Sequence, residues 1–212
     1  MKKAIAFLFA VIAAAVICSP AGAKAVKTES GDCVCRVYFL PRGGCTAAIN
    51  AEIRKARNEI LVQAYSITSA SIAEELLRAH KRGVKVRVIL DSSNDTDRYS
   101  AATFLSNAGI ETRIDGAHAI AHNKLMIIDG ATVITGSFNF TKAAEERNAE
   151  NLLIIKSKKL ASEYIANWNR HLKHSVNYIR RTNRACKSGK YCFLAVVALP
   201  KHSRQCILFQ IN

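Results

Sequence analysis

The stretch AHNKLMIIDG, residues 121–130, sets His122 and Lys124 two residues apart at the start of an apolar run that closes on Asp129-Gly130. Side chains alternate faces along a strand. Extended backbone therefore puts His122, Lys124, Met126 and Ile128 on one face, and Asn123, Leu125, Ile127 and Asp129 on the other. An imidazole and an ammonium then stand side by side, about 7 Å apart at their Cα atoms. A lone histidine on a strand is usually structural, and a lone lysine usually faces solvent. The two together, on a segment otherwise built for burial, suit a phosphoryl group. The imidazole can attack phosphorus or pass a proton, and the ammonium can neutralise phosphate oxygens.

The neighbouring segments extend the pattern. A two-residue GA turn leads to TVITGS, which reads as the hairpin partner of the first strand. In GSFNFT, Ser137 and Asn139 share a face, and both can donate hydrogen bonds to a phosphoryl oxygen. ENLLIIK (150–156) is the next strand, headed by Glu150, a carboxylate able to orient and charge-stabilise an imidazole. Upstream, RVYFL (36–40) and ILVQAYSI (60–67) read as strands, and VKVRVIL (84–90) alternates cleanly up to Asp91. Apolar residues at helical spacing mark CTAAINAEIRKARNE, SASIAEELLRAHKRG with Ser69 or Ser71 as N-cap, YSAATFLSNAG, and KLASEYIANWNRHLKH. Strands alternating with helices, plus one hairpin, predict an α/β fold: a mixed β-sheet flanked by helices. No internal repeat is present in the sequence.

Composition bounds the rest. The chain has 212 residues, 50% of them apolar and 22% charged, enough for one packed domain. Residues 1–23 read as a bacterial signal peptide: a basic MKK, a fifteen-residue apolar run too short to span a bilayer, then small residues at a cleavage site. The mature protein is expected to be exported, periplasmic or extracellular. Beyond the leader's Cys18 stand Cys33, Cys35, Cys45, Cys186, Cys192 and Cys206, an even number in an oxidising compartment. Disulfides are the reading for these six, in no assignable pairing, because zinc spacing with partner histidines is lacking. Net charge is +15, and the segment after His174 carries seven Lys/Arg and no acid. A basic chain favours polyanions such as nucleic acid or anionic lipid. The expected domain spans 24–174, and 175–212 is a basic, cysteine-containing extension. The loop SSNDTDR with Arg98 is placed beside the substrate groove.

HNKLMIID fits H-x-K-x-x-x-x-D, and GSFNFT fits the G-S-x-N that follows that signature in the phospholipase D superfamily. From about Val37 to His174, including AYSIT and HKRGVKV, the chain resembles the small bacterial Nuc-type endonucleases of that superfamily. The resemblance implies an α-β-α sandwich and a metal-independent reaction without a cofactor, through a phosphohistidine. It also implies a homodimer, because two such motifs make one site and this chain has one. Carried over by position, His122 is nucleophile or general acid. Lys124 and Asn139 hold the phosphate with help from Ser137, and Glu150 supports the histidine of its own or the partner chain. The motif counts Asp129 among the catalytic set. Its odd separation from His122 turns it to the opposite face, which predicts a structural part at the turn before Gly130. The expected substrate is DNA, with RNA as a further candidate. Phospholipid headgroup hydrolysis and a catalytically idle nucleic-acid-binding module are the alternatives.

Overall fold

The computed structural model describes residues 24–27, 34–97 and 99–179. The expected signal peptide, Arg98 and the extension from Arg180 onward lie outside the described residues. Strands β1 (Lys24–Lys27) and β2 (Val34–Phe39) precede helix α1 (Cys45–Lys55). Then come β3 (Glu59–Ala64), α2 (Ala70–Lys81) and β4 (Lys85–Asp91), followed by a single 3-10 turn at Ser92–Asp95. Helix α3 (Ala102–Asn107) leads to β5 (Glu111–Asp115), and β6 (Lys124–Ile128) pairs with β7 (Thr132–Gly136). The last elements are α4 (Lys142–Glu146), β8 (Asn151–Lys156), α5 (Lys158–His174) and β9 (Val176–Asn177).

The strands form one sheet in the order β1-β2-β8-β7-β6-β3-β4-β5-β9. β3 runs parallel to β4, and β4 to β5, while β3 pairs antiparallel with β6. This reversal decides where the site falls. Ala64 at the end of β3 faces Lys124 at the start of β6. Gly136 at the end of β7 faces Leu152, and Phe39 at the end of β2 faces Asn151. One edge of the sheet therefore collects the ends of β2, β3, β4, β5 and β7 and the beginnings of β6 and β8.

Period-two alternation separates two cores, as the sequence predicts. Ile60, Val62, Met126, Ile128 and Ile134 pack on Ile49 and Ile53 of α1 and Ile72 and Leu76 of α2. Leu61, Ile89, Leu125, Ile127 and Val133 turn the other way, onto Ala161 and Trp168 of α5. The Trp168 indole is fully buried, donates from Nε1 to the Val62 carbonyl at 3.0 Å, and lies under the Arg87 guanidinium. The result is the expected mixed sheet between two helical layers.

Several boundaries differ from the sequence reading. Residues 24–27, which the sequence reading assigns to no element, contribute β1, in antiparallel register with β2 from Lys24↔Val37 to Lys27↔Val34. The hairpin turns at Asp129-Gly130 rather than at GA. Both residues have positive φ (52° and 59°), and Ala131 N donates to Ile128 O. Mirror-image hairpin turns need that conformation at both central residues, and Asp-Gly supplies it at low cost. The domain also continues past His174: Val176 and Asn177 pair with β5, and the Tyr178 amide donates to Thr112 O. Ser69 does occupy the N-cap position of α2, without a side-chain cap bond.

Cys45 does not fit the disulfide reading. It opens α1 facing the core, is fully buried, and carries a free thiol. Burial, with the negative charges of Glu145 and Glu150, pushes that thiol up to about 12, so it stays neutral and inert.

Candidate active site

β6 begins only at Lys124, so His122 sits in the loop just before the strand, and local contacts set its position. Asp91, at the end of β4, is buried, and one carboxylate oxygen accepts from Ala121 N at 2.7 Å while the other accepts from Ser93 N. Burial alone would raise its carboxyl, but the bonds from Ser93 and Ala121 outweigh this and hold it ionised below the ordinary range. On the other side of His122, the Asn123 carbonyl accepts from Tyr65 N at 2.7 Å, and its side-chain oxygen accepts from Gln63. The His122 backbone is thus clamped from both sides while its ring is exposed. Tyr65 meets that ring edge-on, with centroids 4.7 Å apart.

Lys124 is the buried half of the pair, 8% exposed, with Nζ donating to the His122 carbonyl at 3.0 Å and lying 5.3 Å from the Tyr65 ring centre. Burial lowers its pKa, and the nearby Glu150 carboxylate opposes that shift. A poorly solvated ammonium exerts a strong field on a bound oxyanion. Glu150 lies one residue ahead of β8, within electrostatic reach of Lys124, and accepts a hydrogen bond from Asn148 Nδ2 at 3.2 Å. Within the chain its carboxylate therefore bears on the Lys124 ammonium.

The G-S-x-N segment follows β7 as a loop. Gly136 has φ 150°, and a Cβ there would meet the Asn151 carbonyl oxygen at 2.3 Å. That carbonyl accepts from both Ser137 N and Phe138 N. Only glycine permits this close pass of β7 over β8. Phe138 and Phe140 are fully buried and anchor the loop on either side of Asn139. Asn139 Oδ1 is buried without a hydrogen-bond partner among the described residues. Ser137 is exposed, and its Oγ accepts from Asn151 N at 3.0 Å, keeping only its hydroxyl proton for a phosphoryl oxygen.

Asp129 must be taken out of the catalytic set. It lies at the opposite end of β6 from His122, where its carboxylate accepts from the amides of Arg57, Asn58 and Glu59 at 2.8–3.0 Å. It joins the hairpin turn to the start of β3. The structural part foreseen from its odd spacing holds, although the partner is β3 rather than Gly130. His122, Lys124, Asn139 and Glu150 remain on one edge of the sheet. Tyr65 and Asp91 are additions that sequence reading missed. Asp91 read only as a strand end, and Tyr65 lies 57 residues before His122. The cluster defines a class: a phosphoryl-transfer site at the edge of an α/β sandwich.

Residues 49–172 match the family described as cardiolipin synthase, PLD-like domain. Over 130 residues the chain is 49% identical to a phospholipase D from Rickettsia conorii. That stretch is 61% of this chain and 65% of the relative, so the chain spans slightly less than two thirds of it. Identity to a mitochondrial cardiolipin hydrolase of Xenopus tropicalis is 33% over 110 residues, 52% of each chain. Among solved structures, the phospholipase D family member Nuc from Salmonella typhimurium is similar at TM-score 0.67 and 37% identity. The likeness covers 69% of this chain and 99% of that one. NucT from Helicobacter pylori shares the fold at TM-score 0.65 and 23% identity, over 69% and 100%. The chain belongs to the phospholipase D superfamily. It carries one copy of that superfamily's H-x-K motif, at His122 and Lys124.

Proposed function

We propose that the protein is an exported endonuclease that hydrolyses DNA without a catalytic metal, through a phosphohistidine in a homodimeric site. The observation that carries this reading is the exposed imidazole of His122 beside the buried Lys124 ammonium, with Asn139 on the same edge of the sheet. A second histidine is needed to protonate the leaving oxygen, and a two-fold axis beside His122 supplies it from another copy. Three large apolar side chains on the same edge, Phe39, Tyr99 and Ile120, are 59%, 72% and 59% exposed, which supports a partner there.

In the first step a His122 nitrogen attacks phosphorus as the bond to the leaving ester oxygen breaks. The partner's His122 gives that oxygen its proton. In the second step the same histidine takes a proton from water, the water oxygen attacks phosphorus, and the N–P bond breaks. Both imidazoles return to their starting states. Lys124 and Asn139 neutralise and bond the non-bridging oxygens throughout. Glu150 balances Lys124 in its own chain and is placed to support a histidine across the axis. Net charge of +15, of which only Lys2 and Lys3 lie within residues 1–23, favours a polyanion over a zwitterionic headgroup.

Phospholipid hydrolysis is the second reading, favoured by the 49% identity to a protein named phospholipase D. The test is to incubate the purified chain and His122→Ala with supercoiled plasmid and, separately, with phosphatidylcholine vesicles, each with and without EDTA. Nicking that persists in EDTA and vanishes in the variant is the expected result. Choline release with intact plasmid transfers the assignment to lipid, and inactivity on both leaves a binding module.

A further inference from the structure

A second cluster of chemistry-bearing side chains lies on the same edge of the sheet, at the end of β5. Asp115 closes that strand, His118 follows three residues on, and His171 and His174 occupy the last turn of α5. Asp115 is 0% exposed. Its Oδ2 lies 2.7 Å from His171 Nδ1, 3.3 Å from His174 Nε2 and 3.9 Å from His118 Nε2. The three imidazole centres stand 5.0, 5.2 and 5.2 Å apart, nearly an equilateral triangle around one carboxylate oxygen. One ligand atom from each residue lies within 4.8 Å of every other.

The ordinary reading is a buried aspartate served by hydrogen-bond donors. His171, His174 and the Ala117 amide, which donates to Oδ1, already meet that need. It leaves His118 unexplained, because 3.9 Å is beyond hydrogen-bond distance. We propose that Asp115, His118, His171 and His174 form a structural zinc site that fastens the loop carrying His122 to α5. Zinc bonds of about 2.0–2.1 Å in tetrahedral array set ligand atoms about 3.3 Å apart. A small rotation of His118, which is 45% exposed on its loop, closes the triangle to that size. Three nitrogens and one carboxylate oxygen suit a borderline transition ion better than calcium or magnesium, which prefer oxygen cages.

The surroundings are already organised for such an ion. Asp115 is fully buried, and its Oδ1 accepts from the Ala117 amide at 3.1 Å, which leaves Oδ2 turned toward the three rings. Arg113 donates to the Ser175 hydroxyl, the Ser175 carbonyl and the Asn177 side chain, which fixes the end of α5 against β5. The side chains of His118 and His174, 45% and 36% exposed, leave an open approach. Four protein ligands fill the coordination sphere, so the ion would hold structure and activate no water. The reaction proposed above needs no such ion, and the two readings stand or fall separately.

The test uses the full chain, expressed for export without an affinity tag, dialysed against excess zinc sulfate and then gel-filtered. One zinc per chain by elemental analysis is expected, with a melting temperature that rises with zinc and falls back in EDTA. Replacement by cobalt should give the intense visible absorption of a tetrahedral site. His118→Ala should bind zinc more than about 100-fold more weakly, with the zinc-free melting temperature unchanged. His171→Asn, which keeps a donor for Asp115, should lose zinc in the same way. Folded wild-type protein without zinc, or equal zinc binding by both variants, overturns the proposal. Metal content and melting are read independently of turnover, so an inactive but zinc-loaded protein would count against the nuclease reading alone.

Discussion

At the scale of single residues, the two ends of β6 carry different duties, and substitutions should separate them. His122 is exposed, and its ring meets only the Tyr65 edge among the described contacts, so His122→Ala should abolish turnover while leaving thermal unfolding almost unchanged. Lys124→Ala removes the poorly solvated charge beside the phosphoryl group, and kcat should fall about 10²–10³-fold with unaltered circular dichroism. Asp129→Asn should behave in the opposite way. Three amide bonds to a charged acceptor become bonds to a neutral one, so about 1–3 kcal/mol of stability should be lost, measured by urea unfolding, with kcat retained. The pH dependence follows from the same contacts. Burial would raise the Asp129 carboxyl, yet the amides of Glu59, Asn58 and Arg57 lower it below the ordinary 3.8. The unfolded chain then binds the extra proton first, so the contribution of Asp129 is complete above about pH 5 and lost as pH falls below about 4. Asp129→Asn should flatten that acid limb in melting curves taken across this range. An unchanged limb would mean that other carboxylates govern acid unfolding.

At the scale of elements, two connections hold the catalytic edge, and neither is visible from hydropathy. The first is the crossing of β7 over β8 at Gly136, where a Cβ has no room. Gly136→Ala should separate the Ser137–Asn139 loop from Asn151, lowering stability by about 1–3 kcal/mol and turnover together. The second joins α4 to α1. Helix α1 has Gly44 at its N-cap and no capping side chain, and the Glu145 carboxylate reaches across to take Gly44 N, Thr46 N and the Thr46 hydroxyl. Glu145→Ala should cost about 1–2 kcal/mol, in the range of a lost N-cap, read as a lower midpoint in denaturant. Because α4 is five residues long, the sequence shows it as polar loop, and its capping duty emerges only from contacts a hundred residues apart.

At the scale of the molecule, the reading proposed above makes activity a property of pairs, because each chain has one motif. If each site takes one His122 from each of two copies, a mixed dimer of wild type and His122→Ala has no complete site. Equal mixing with subunit exchange should then leave about one quarter of the activity rather than half. Light scattering should report a dimer, and a fully active monomer would sink the shared-site reading. The basic charge makes a further point testable. Substrate affinity for plasmid should fall steeply with ionic strength, whereas hydrolysis of phosphatidylcholine vesicles should respond weakly.

The sequence alone determined the class of fold, the position of each long element, and four candidate site residues that meet on one edge of the sheet: His122, Lys124, Asn139 and Glu150. It could do so because period-two and period-3.6 patterns, and motif spacings within about thirty residues of consecutive strands, are local properties that survive in one dimension. Tertiary structure decided what depends on distant segments meeting. Asp129 turned out to bind residues 57–59, Asp91 to anchor the loop of His122, and β1 and β9 to extend the sheet at either margin. The meeting of Asp115 and His118 with His171 and His174 belongs to the same group. Strand order is set by which apolar faces bury one another, and a polar atom's partner by whichever segment that packing brings near. Neither is encoded in the spacing of neighbours along the chain.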